Sequence, residues 1–269
     1  MGSKPTWLKK KVFLNNSNIN KVKTLLENSH LHTVCQSAKC PNIFECFGKE
    51  TATFMILGNV CTRNCAFCGI KSGKPSLPDI HEPKKVALAA REMDLKYVVI
   101  TSVTRDDLPD GGASHFAKTV KEIRKLLPSA GVECLIPDFG GDLNSLKIVL
   151  GEEVSVLNHN VETVKRNYPE IRRGASYEVS LGILKMAKEI NPNIFTKSSF
   201  MVGLGETRKE IEELLMDLSK ADVDILTIGQ YLRPSVDNVP VHRYYTPQEF
   251  EELKLLSKRF GFKKVVCGT

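Results

Sequence analysis

Hydrophobic and polar positions follow two alternating patterns along the chain from Ala52 onward. Short apolar runs rich in β-branched residues predict six strands, over ATFMIL, YVVITS, VECLIP, VSVLNHN, IFTKSSFMVG and ILTIGQYL. Segments with helical spacing of apolar residues alternate with them, over EPKKVALAAREMDL, GASHFAKTVKEIRKLL, DLNSLKIVL, YEVSLGILKMAKEI, TRKEIEELLMDLSKA and TPQEFEELKLLSKRF. Thr207 with Glu210, and Thr246 with Glu249, have the spacing of capping boxes and predict where the last two helices begin.

Six strand–helix units with short connections predict an α/β fold around a parallel sheet. Two architectures fit this alternation, a (βα)6 barrel that lacks two units or an open doubly wound sheet. Polar segments follow the strands and should gather at one rim, namely TSVTRDDLPDGG, IPDFGGD, NHNVETV and GLGE. Residues 1–50 show little periodicity, so we expect an N-terminal cysteine-rich extension there and the (βα)6 domain over 51–269.

Composition and cysteine usage predict a soluble, cytoplasmic protein with metal chemistry. The chain has 269 residues, 42% of them hydrophobic, with no run long enough for a membrane span. MGSKPTWLKKKVF lacks the apolar stretch of a secretory signal. Six of the eight cysteines fall between Cys35 and Cys68. In a reducing compartment, clustered thiols indicate metal binding rather than disulfides.

The net charge of +7 favours an acidic partner but does not identify one. Basic residues cluster near both ends of the chain, at Lys4, Lys9, Lys10 and Lys11 and at Lys258, Arg259, Lys263 and Lys264. An ordinary solvated surface explains these clusters equally well. No basic stripe is interleaved with aromatic residues, so we predict no nucleic-acid partner.

The segment NVCTRNCAFCGI follows the first predicted strand and contains Cys61, Cys65 and Cys68 at spacing C-x3-C-x2-C. A structural zinc site closes a tetrahedron with four ligands, and no histidine lies near Cys61. A ferredoxin-type cluster site normally supplies a fourth cysteine. Three thiols after a strand therefore indicate a cluster with one iron open to a small molecule, which is typical of a catalytic metal centre.

C-x3-C-x2-C after the first strand of a (βα)6 domain resembles the radical S-adenosylmethionine (SAM) superfamily. The resemblance implies a partial TIM-like barrel and a [4Fe–4S] cluster whose fourth iron is chelated by the methionine moiety of SAM. The reduced cluster would pass one electron to the sulfonium, which releases methionine and a 5′-deoxyadenosyl radical. Phe67 matches the aromatic residue that lies near the adenine in this superfamily.

A second group, CQSAKCPNIFEC, places Cys35, Cys40 and Cys46 at spacing C-x4-C-x5-C. Together with the first group it resembles the lipoyl synthase family, as do KPTWLK, TATFMILG, TSVTRDDLPDGGASHF, IPDFGGD, LNHNVETV, MVGLGET, DILTIGQYLRPS and RYYTPQEF. This resemblance implies that the second group holds an auxiliary [4Fe–4S] cluster that donates sulfur. The reaction would insert two sulfur atoms, at carbons 6 and 8 of an octanoyl group on a carrier lysine.

In that family the fourth ligand of the auxiliary cluster is a serine of an RSSY-like motif near the C-terminus. The last residues of the sequence are FKKVVCGT, which precede the place where that motif is expected, so this ligand is not assigned. The resemblance implies that the auxiliary cluster and full sulfur insertion depend on this serine, whereas radical generation does not. Cys267 is an alternative ligand, although a packed or solvated thiol is the favoured interpretation. Cys134, inside the third predicted strand, is expected in the core.

Further cofactor contacts are predicted at the strand ends. The candidates are Arg105, Asp106, Asn160, Glu162, Lys197, Gly203, Gly205, Glu206 and Gln230. Asn160 and Glu162 could bind ribose hydroxyls, and the glycines of GLGE allow the backbone to approach a flat ligand, as the superfamily resemblance implies. A solvated salt bridge explains Arg105 and Asp106 equally well. Lys197 lies inside an apolar strand, where an unpaired charge is costly, so a rim-facing role is favoured.

The resemblance implies octanoylated lipoyl carrier domains as partners, namely the E2 subunits of 2-oxoacid dehydrogenases and the glycine cleavage H protein. It also implies a one-electron donor, either ferredoxin or flavodoxin. One alternative is another radical enzyme with an auxiliary cluster, biotin-synthase-like or methylthio-transferring, but the C-x4-C-x5-C spacing favours the lipoyl synthase family. The other alternative is a non-catalytic zinc or nucleic-acid-binding module, which would contain zinc instead of iron and sulfide.

Overall fold

The structure is a computed structural model that describes residues 5–8, 17–40, 42–48 and 52–268. The basic cluster at Lys4, Lys9, Lys10 and Lys11 lies outside these residues. The strands are β1 (His32–Thr33), β2 (Thr53–Ile56), β3 (Val60–Cys61), β4 (Lys71–Ser72), β5 (Tyr97–Ser102), β6 (Gly131–Leu135), β7 (Val156–Asn158), β8 (Phe195–Val202), β9 (Ile225–Gln230) and β10 (Lys264–Gly268). The helices are α1 (Ser17–Asn28), α2 (Val34–Ser37), α3 (Ile43–Gly48), α4 (Glu82–Glu92), α5 (Ala113–Leu126), α6 (Leu143–Leu150), α7 (Tyr168–Ile171), α8 (Tyr177–Ile190), α9 (Arg208–Lys220) and α10 (Pro247–Lys258).

The main sheet has the strand order β1-β2-β5-β6-β7-β8-β9-β10. β1 pairs antiparallel with β2, and every other neighbouring pair is parallel. Because each right-handed crossover moves to the next strand in the same direction, the long helices collect on one face of the sheet. A doubly wound sheet would need a reversal of strand order, which is absent within the described residues. The sheet is therefore a partial barrel, as predicted, with β1 and β10 at its two open edges.

The two faces of the barrel strands differ, as β8 illustrates. Phe200 and Val202 are buried among apolar residues of the helical layer. Met201, between them, points to the opposite face and lines an internal cavity. Side chains on successive strand residues alternate between faces, so this strand supplies the core and the cavity wall at once.

The six predicted strands are confirmed, but the sequence analysis missed regular structure at both ends of the chain. β10 adds a seventh parallel strand beside β9. In the first fifty residues, α1 buries Ile19, Val22 and Leu26 in the same core as Phe54 of β2. Spacings of three and four residues between these apolar positions are a helical pattern, and it was overlooked because it spans only two turns.

Both predicted capping boxes are present. Thr207 and Thr246 each accept a hydrogen bond from the backbone of the glutamate three residues on, and the carboxylate of that glutamate accepts one from the backbone of the cap. These bonds satisfy backbone N–H groups that have no partner within the helix. Among the described helices, none combines the length and apolar character needed to cross a membrane.

Asp224 joins three elements at the barrel end opposite the polar rim. Its carboxylate accepts hydrogen bonds from Lys188 of α8 at 2.6 Å and from Lys263, just before β10, at 2.7 Å. It also accepts one from the backbone N–H of Thr196 in β8 at 2.9 Å. Although burial raises the pKa of Asp224, the bonds from both lysines lower it, and the pKa lies below its usual value.

We expect Asp224→Ala to lower the free energy of unfolding by about 3 kcal/mol, because it leaves a buried ammonium group without its partner. The effect should be measured as a shift in the urea midpoint at pH 7. Since the folded-state pKa is depressed, the stabilisation is present at neutral pH and is lost as the pH falls below about 4.

The matched control is Glu189→Ala, which removes an exposed carboxylate 4.0 Å from Lys185 and should change stability by less than about 0.5 kcal/mol. Equal losses in the two variants would contradict a special role for Asp224.

Candidate active site

A cavity of about 990 Å³ occupies the interior of the partial barrel near the carboxyl ends of the strands. Cys61, Cys65 and Cys68 of the first cysteine group line it, and so does Cys40 of the second group. The rest of the wall is largely apolar. The geometry therefore joins two cysteine groups that are separated in the sequence.

The first cysteine group lies in a loop, residues 61–70, that leaves β3 and returns to β4. The backbone N–H groups of Thr104 and Arg63 donate to the Sγ of Cys61 at 3.3 and 3.4 Å. The N–H of Ile70 donates to the Sγ of Cys68 at 3.4 Å. Such bonds stabilise negative charge on sulfur and are typical of the surroundings of iron–sulfur ligands.

Two thiols of this loop, those of Cys65 and Cys68, have raised pKa values. Burial raises the pKa of Cys65 to about 12, opposed by the positive charge of Arg172. Burial also raises the pKa of Cys68 to about 11, opposed by the hydrogen bond from Ile70 and reinforced by Glu162 and Cys61. A metal that binds these sulfurs must displace their protons, and its positive charge then compensates the buried thiolates.

Arg63, inside the loop, fixes the loop to the ends of two strands. Its guanidinium donates to Asp106, after β5, at 2.8 and 2.9 Å. It also donates to Asp138, after β6, at 2.5 and 2.7 Å. Asp138 is almost fully buried, and bidentate charged bonds of this kind are strong and directional. Arg63 was missed by the sequence analysis, because its partners Asp106 and Asp138 lie 43 and 75 residues away along the chain.

The opposite side of the loop is held by the chain after β9. The side-chain amide of Asn238 donates to the carbonyls of Ala66 and Cys68 at 3.1 and 2.9 Å. The N–H of Val239 also donates to Ala66 O, at 3.0 Å. A side chain at Gly69 would place its Cβ 3.1 Å from Ala38 O and from Pro234, so the loop needs this glycine for close approach.

The second cysteine group lies on α2, α3 and the turn between them. Cys35 is buried in the core, and burial raises the pKa of its thiol, opposed by a backbone hydrogen bond from Thr53 and reinforced by Cys46 and Cys40. Both other thiols of the group are thus close enough to Cys35 to affect its pKa. Cys40 reaches the cavity, whereas Cys35 and Cys46 do not line it.

Within the described residues, no three His, Cys, Asp or Glu side chains converge as ligands of a single metal ion. That convergence is what a structural zinc site requires. In a [4Fe–4S] cluster each thiolate binds its own iron, so the three sulfurs stand around a larger volume. Cys61, Cys65 and Cys68 line one cavity and could supply the three thiolates that such a cluster needs.

Asn160 and Glu162 extend from the end of β7 into the cavity wall beside the first cysteine group. Burial raises the pKa of Glu162, opposed by Arg172 and by the neighbouring side chain of Asn160. The side-chain oxygen of Asn160, Oδ1, is buried and has no hydrogen-bond partner. A buried acceptor without a partner is costly, so this position fits a ligand that donates a hydrogen bond, such as a sugar hydroxyl.

Arg172 is a second cation of the site that sequence analysis did not identify. Its guanidinium lines the cavity and donates to the hydroxyls of Tyr168 and Ser180, both at 2.8 Å. A longer contact of 3.5 Å joins it to Nε2 of His159. Burial and the charge of Arg172 lower the pKa of His159 to about 4. His159 is therefore neutral near pH 7, with Nδ1 donating to Ile136 O at 2.9 Å.

The GLGE segment forms a self-contained turn after β8. Glu206 accepts hydrogen bonds from the backbone N–H of Gly203 at 2.7 Å and of Leu204 at 2.8 Å. Gly203 has φ 101°, and a Cβ there would lie 2.4 Å from Nε2 of Gln230. That nitrogen donates to three backbone carbonyls, and Oε1 accepts from Tyr245 N at 2.8 Å. This glycine is thus required by packing against Gln230.

The predicted site residues fall into two sets. Those that line the cavity are Cys40, Cys61, Cys65, Phe67, Cys68, Asn160, Glu162 and Gln230. Those that do not line it are Cys35, Cys46, Arg105, Asp106, Lys197, Gly203, Gly205 and Glu206.

Several members of the second set have partners within the protein. Arg105 is buried and makes a bidentate ion pair with Asp107, both bonds 2.8 Å. Lys197 pairs with Glu133 at 2.8 Å in the strand layer, not at the rim. Cofactor contacts at these positions stay predictions.

Cys267 lies on the helix side of β10. Side chains alternate along this strand, and Cys267 packs with Val265 against the helical core. Its neighbours Val266 and Gly268 line the cavity instead. Burial raises the pKa of the Cys267 thiol to about 12, opposed by Lys254 and reinforced by Glu251, as expected for a packed thiol.

Comparison with known proteins agrees with this geometry. The family model of the radical SAM superfamily matches residues 55–218. Lipoyl synthase of Caldicellulosiruptor saccharolyticus is 53% identical over 98% of this chain and 93% of its own length. Lipoyl synthase of Caldanaerobacter subterraneus subsp. tengcongensis is 51% identical over 98% of this chain and 92% of its own length.

Solved structures with the same fold are more distant in sequence. Methylornithine synthase (PylB) has a TM-score of 0.59 and 15% identity, over 92% of this chain and 81% of that one. Streptococcus suis SuiB bound to S-adenosylmethionine has a TM-score of 0.60 and 12% identity, over 84% and 55%. At such identities the likeness concerns the fold alone, whereas the two lipoyl synthases share half their residues with nearly the whole chain. The chain belongs to the lipoyl synthase family of the radical SAM superfamily.

Proposed function

We propose that the protein is a lipoyl synthase, which inserts two sulfur atoms at carbons 6 and 8 of an octanoyl group carried on a lysine. The observation that carries this proposal is the shared cavity, which Cys40 lines together with Cys61, Cys65 and Cys68. A carbon radical must react with sulfur before it reacts with solvent or another side chain. Radical formation and sulfur insertion therefore need one enclosed volume.

Each cysteine group would hold one [4Fe–4S] cluster. Cys61, Cys65 and Cys68 would hold the cluster that binds SAM, and Cys35, Cys40 and Cys46 the auxiliary sulfur donor. When bound, the two clusters supply the one-electron chemistry and the sulfur that this chain's own side chains lack. Alkyl C–H bonds offer no acidic proton, so acid–base catalysis by protein groups cannot replace that chemistry.

The residues beside the first cysteine group would orient SAM. Oδ1 of Asn160, unpartnered in the protein, would accept a hydrogen bond from a ribose hydroxyl. Phe67 offers a flat apolar surface on the cavity wall, suited to the adenine. The guanidinium of Arg172 would balance negative charge near Cys65, since its positive charge already opposes the rise that burial causes in the Cys65 pKa.

The apolar wall would hold the octanoyl chain and exclude water. The apolar residues in this part of the wall include Met55, Leu135, Ile136 and Met201. Burial of each CH₂ group contributes about 0.8 kcal/mol. An extended alkyl chain therefore fits this wall better than a polar substrate would.

The substrates of this activity are lipoyl carrier domains, and we infer E2 subunits of 2-oxoacid dehydrogenases and the glycine cleavage H protein as the particular partners. A ferredoxin or flavodoxin would supply electrons, and a cytoplasmic location would keep the thiols reduced. We also infer the division into residues 1–50, with the auxiliary cysteines, and 51–269, the barrel. We propose it as a division of function and not of structure, because α1 of the first part and β2 of the second pack in one core.

Removing one thiol from each cysteine group should abolish a different activity. We expect Cys61→Ala to reduce 5′-deoxyadenosine formation to background, because the cluster that binds SAM loses a ligand. Cys35→Ala should retain this cleavage and yield no lipoyl product. Chromatography of deoxyadenosine and mass spectrometry of an octanoyl-lysine peptide measure the two activities, with iron and sulfide content determined for each variant. Equal loss of deoxyadenosine in both variants would refute this division of labour.

Asn160→Ala should weaken SAM binding about tenfold, because one hydrogen bond of about 1.4 kcal/mol is lost. Equilibrium dialysis of the iron-loaded protein with labelled SAM measures this, and iron content should stay at the wild-type value. Asn193→Ala, at an exposed position before β8, is the matched control and should bind SAM normally. Unchanged affinity in Asn160→Ala would remove this residue from the site.

A further inference from the structure

A second cavity, of about 390 Å³, lies on the outer side of the cysteine loop. Cys68, Gly69 and Ile70 line both this cavity and the larger one. The loop backbone is therefore a shared wall, with the barrel interior on one side and the outer cavity on the other. We call this second volume the outer cavity.

The outer cavity is positively charged. Lys39, Arg173 and Arg233 line it, against one acidic residue, Asp237. Lys39 and Arg173 are exposed. In the described part of the chain, none of the three cations forms an ion pair with a carboxylate. Arg233 instead donates to the backbone carbonyls of Asn238, at 2.7 Å, and Val236. Unpaired cations around a concave surface focus a positive potential there.

The wall of the outer cavity is fixed directly to the cysteine loop. Asn238 and Val239 line this cavity, and both donate hydrogen bonds to backbone carbonyls of the loop, at Ala66 and Cys68. A molecule seated in the outer cavity would thus contact the backbone that surrounds the first cysteine group. It would not contact Cys40, which belongs to the larger cavity only.

We propose that the outer cavity, through Lys39, Arg173 and Arg233, docks an acidic surface of a partner protein that donates single electrons to the cluster that Cys61, Cys65 and Cys68 would hold. This inference rests on the proposed function. A carrier domain must send its acylated lysine into the larger cavity to reach Cys40. An electron donor needs only to come close to the cluster ligands. A donor at the outer cavity would do so, because Cys68 lines that cavity as well as the larger one.

The step at this surface is an electron transfer alone. The donor protein would be oxidised by one electron, and the cluster held by Cys61, Cys65 and Cys68 would be reduced by one electron. No bond forms or breaks and no proton moves. The cations therefore act by attracting and orienting the donor, so their removal should affect association and its salt dependence.

The test is the binding of flavodoxin, an acidic one-electron donor, to the iron-loaded protein, measured by surface plasmon resonance. We expect the double variant Lys39→Gln/Arg173→Gln to bind about tenfold more weakly at low ionic strength. The difference should shrink as salt is added, because charges become screened over about 8 Å at 0.15 M. Lys118→Gln/Lys121→Gln removes two exposed cations from α5 and should bind as the wild type does.

The same variants should be assayed for deoxyadenosine formation with flavodoxin and, separately, with reduced methyl viologen, a small cationic donor. We expect Lys39→Gln/Arg173→Gln to be slow with flavodoxin and normal with methyl viologen. Wild-type flavodoxin binding in this variant would overturn the proposal, and so would equal loss with both donors. The proposal would also be overturned if the variant bound a carrier domain more weakly but bound flavodoxin as the wild type does. A wild-type protein that forms no deoxyadenosine with either donor would contradict the proposed function instead.

Discussion

The site depends on the ion-pair network that holds the cysteine loop to the barrel. Arg63 lies between Asp106 and Asp138, which follow adjacent strands of the sheet. Burial lowers the pKa of Arg63, but the bonds that it donates to Asp138 and Asp106 raise it well above its usual value, so the guanidinium stays charged. Because a charge this buried is tolerated only with its partners in place, the loop has one favoured position. That position directs Cys61, Cys65 and Cys68 into the barrel.

The second constraint is that the N-terminal segment shares the barrel's core. Ile19, Val22 and Leu26 of α1 pack in the same apolar cluster as Phe54. β1 adds to the edge of the sheet beside β2. Since α2 begins directly after β1, this pairing sets the position of Cys35 and brings Cys40 to the cavity. The two cysteine groups therefore meet at one cavity, through Cys40 of the second group and all three cysteines of the first.

Much of the architecture could be predicted from the sequence, because strand and helix periods and capping boxes are local patterns. The cysteine spacings also carry their chemistry directly. Contacts between distant segments were not accessible in this way. Arg63 and Arg172 look like ordinary basic residues until the fold brings Asp106, Asp138 and Cys65 beside them. The pairing of Lys197 with Glu133, 64 residues away, likewise arises only when β6 and β8 lie in one sheet.

The GLGE segment shows the opposite difficulty. Its glycines were interpreted as room for a flat ligand, which stays a prediction, but Gly203 also leaves room for the side chain of Gln230. Sequence alone cannot distinguish a glycine that admits a ligand from one that admits a neighbouring side chain. The missing hydrogen-bond partner of Asn160 Oδ1 likewise cannot be predicted from sequence, since any asparagine can find partners in some fold.

The central claim is that the auxiliary cysteines deliver sulfur into the cavity where the alkyl chain is activated. The most direct test loads the clusters with heavy-isotope sulfide, removes free sulfide, and supplies an octanoyl-lysine peptide, SAM and a reductant under anaerobic conditions. Mass spectrometry should then show a peptide that has gained two sulfur atoms, both heavy. Cleavage of SAM with the peptide returned unchanged, or with only light sulfur incorporated, would contradict the account.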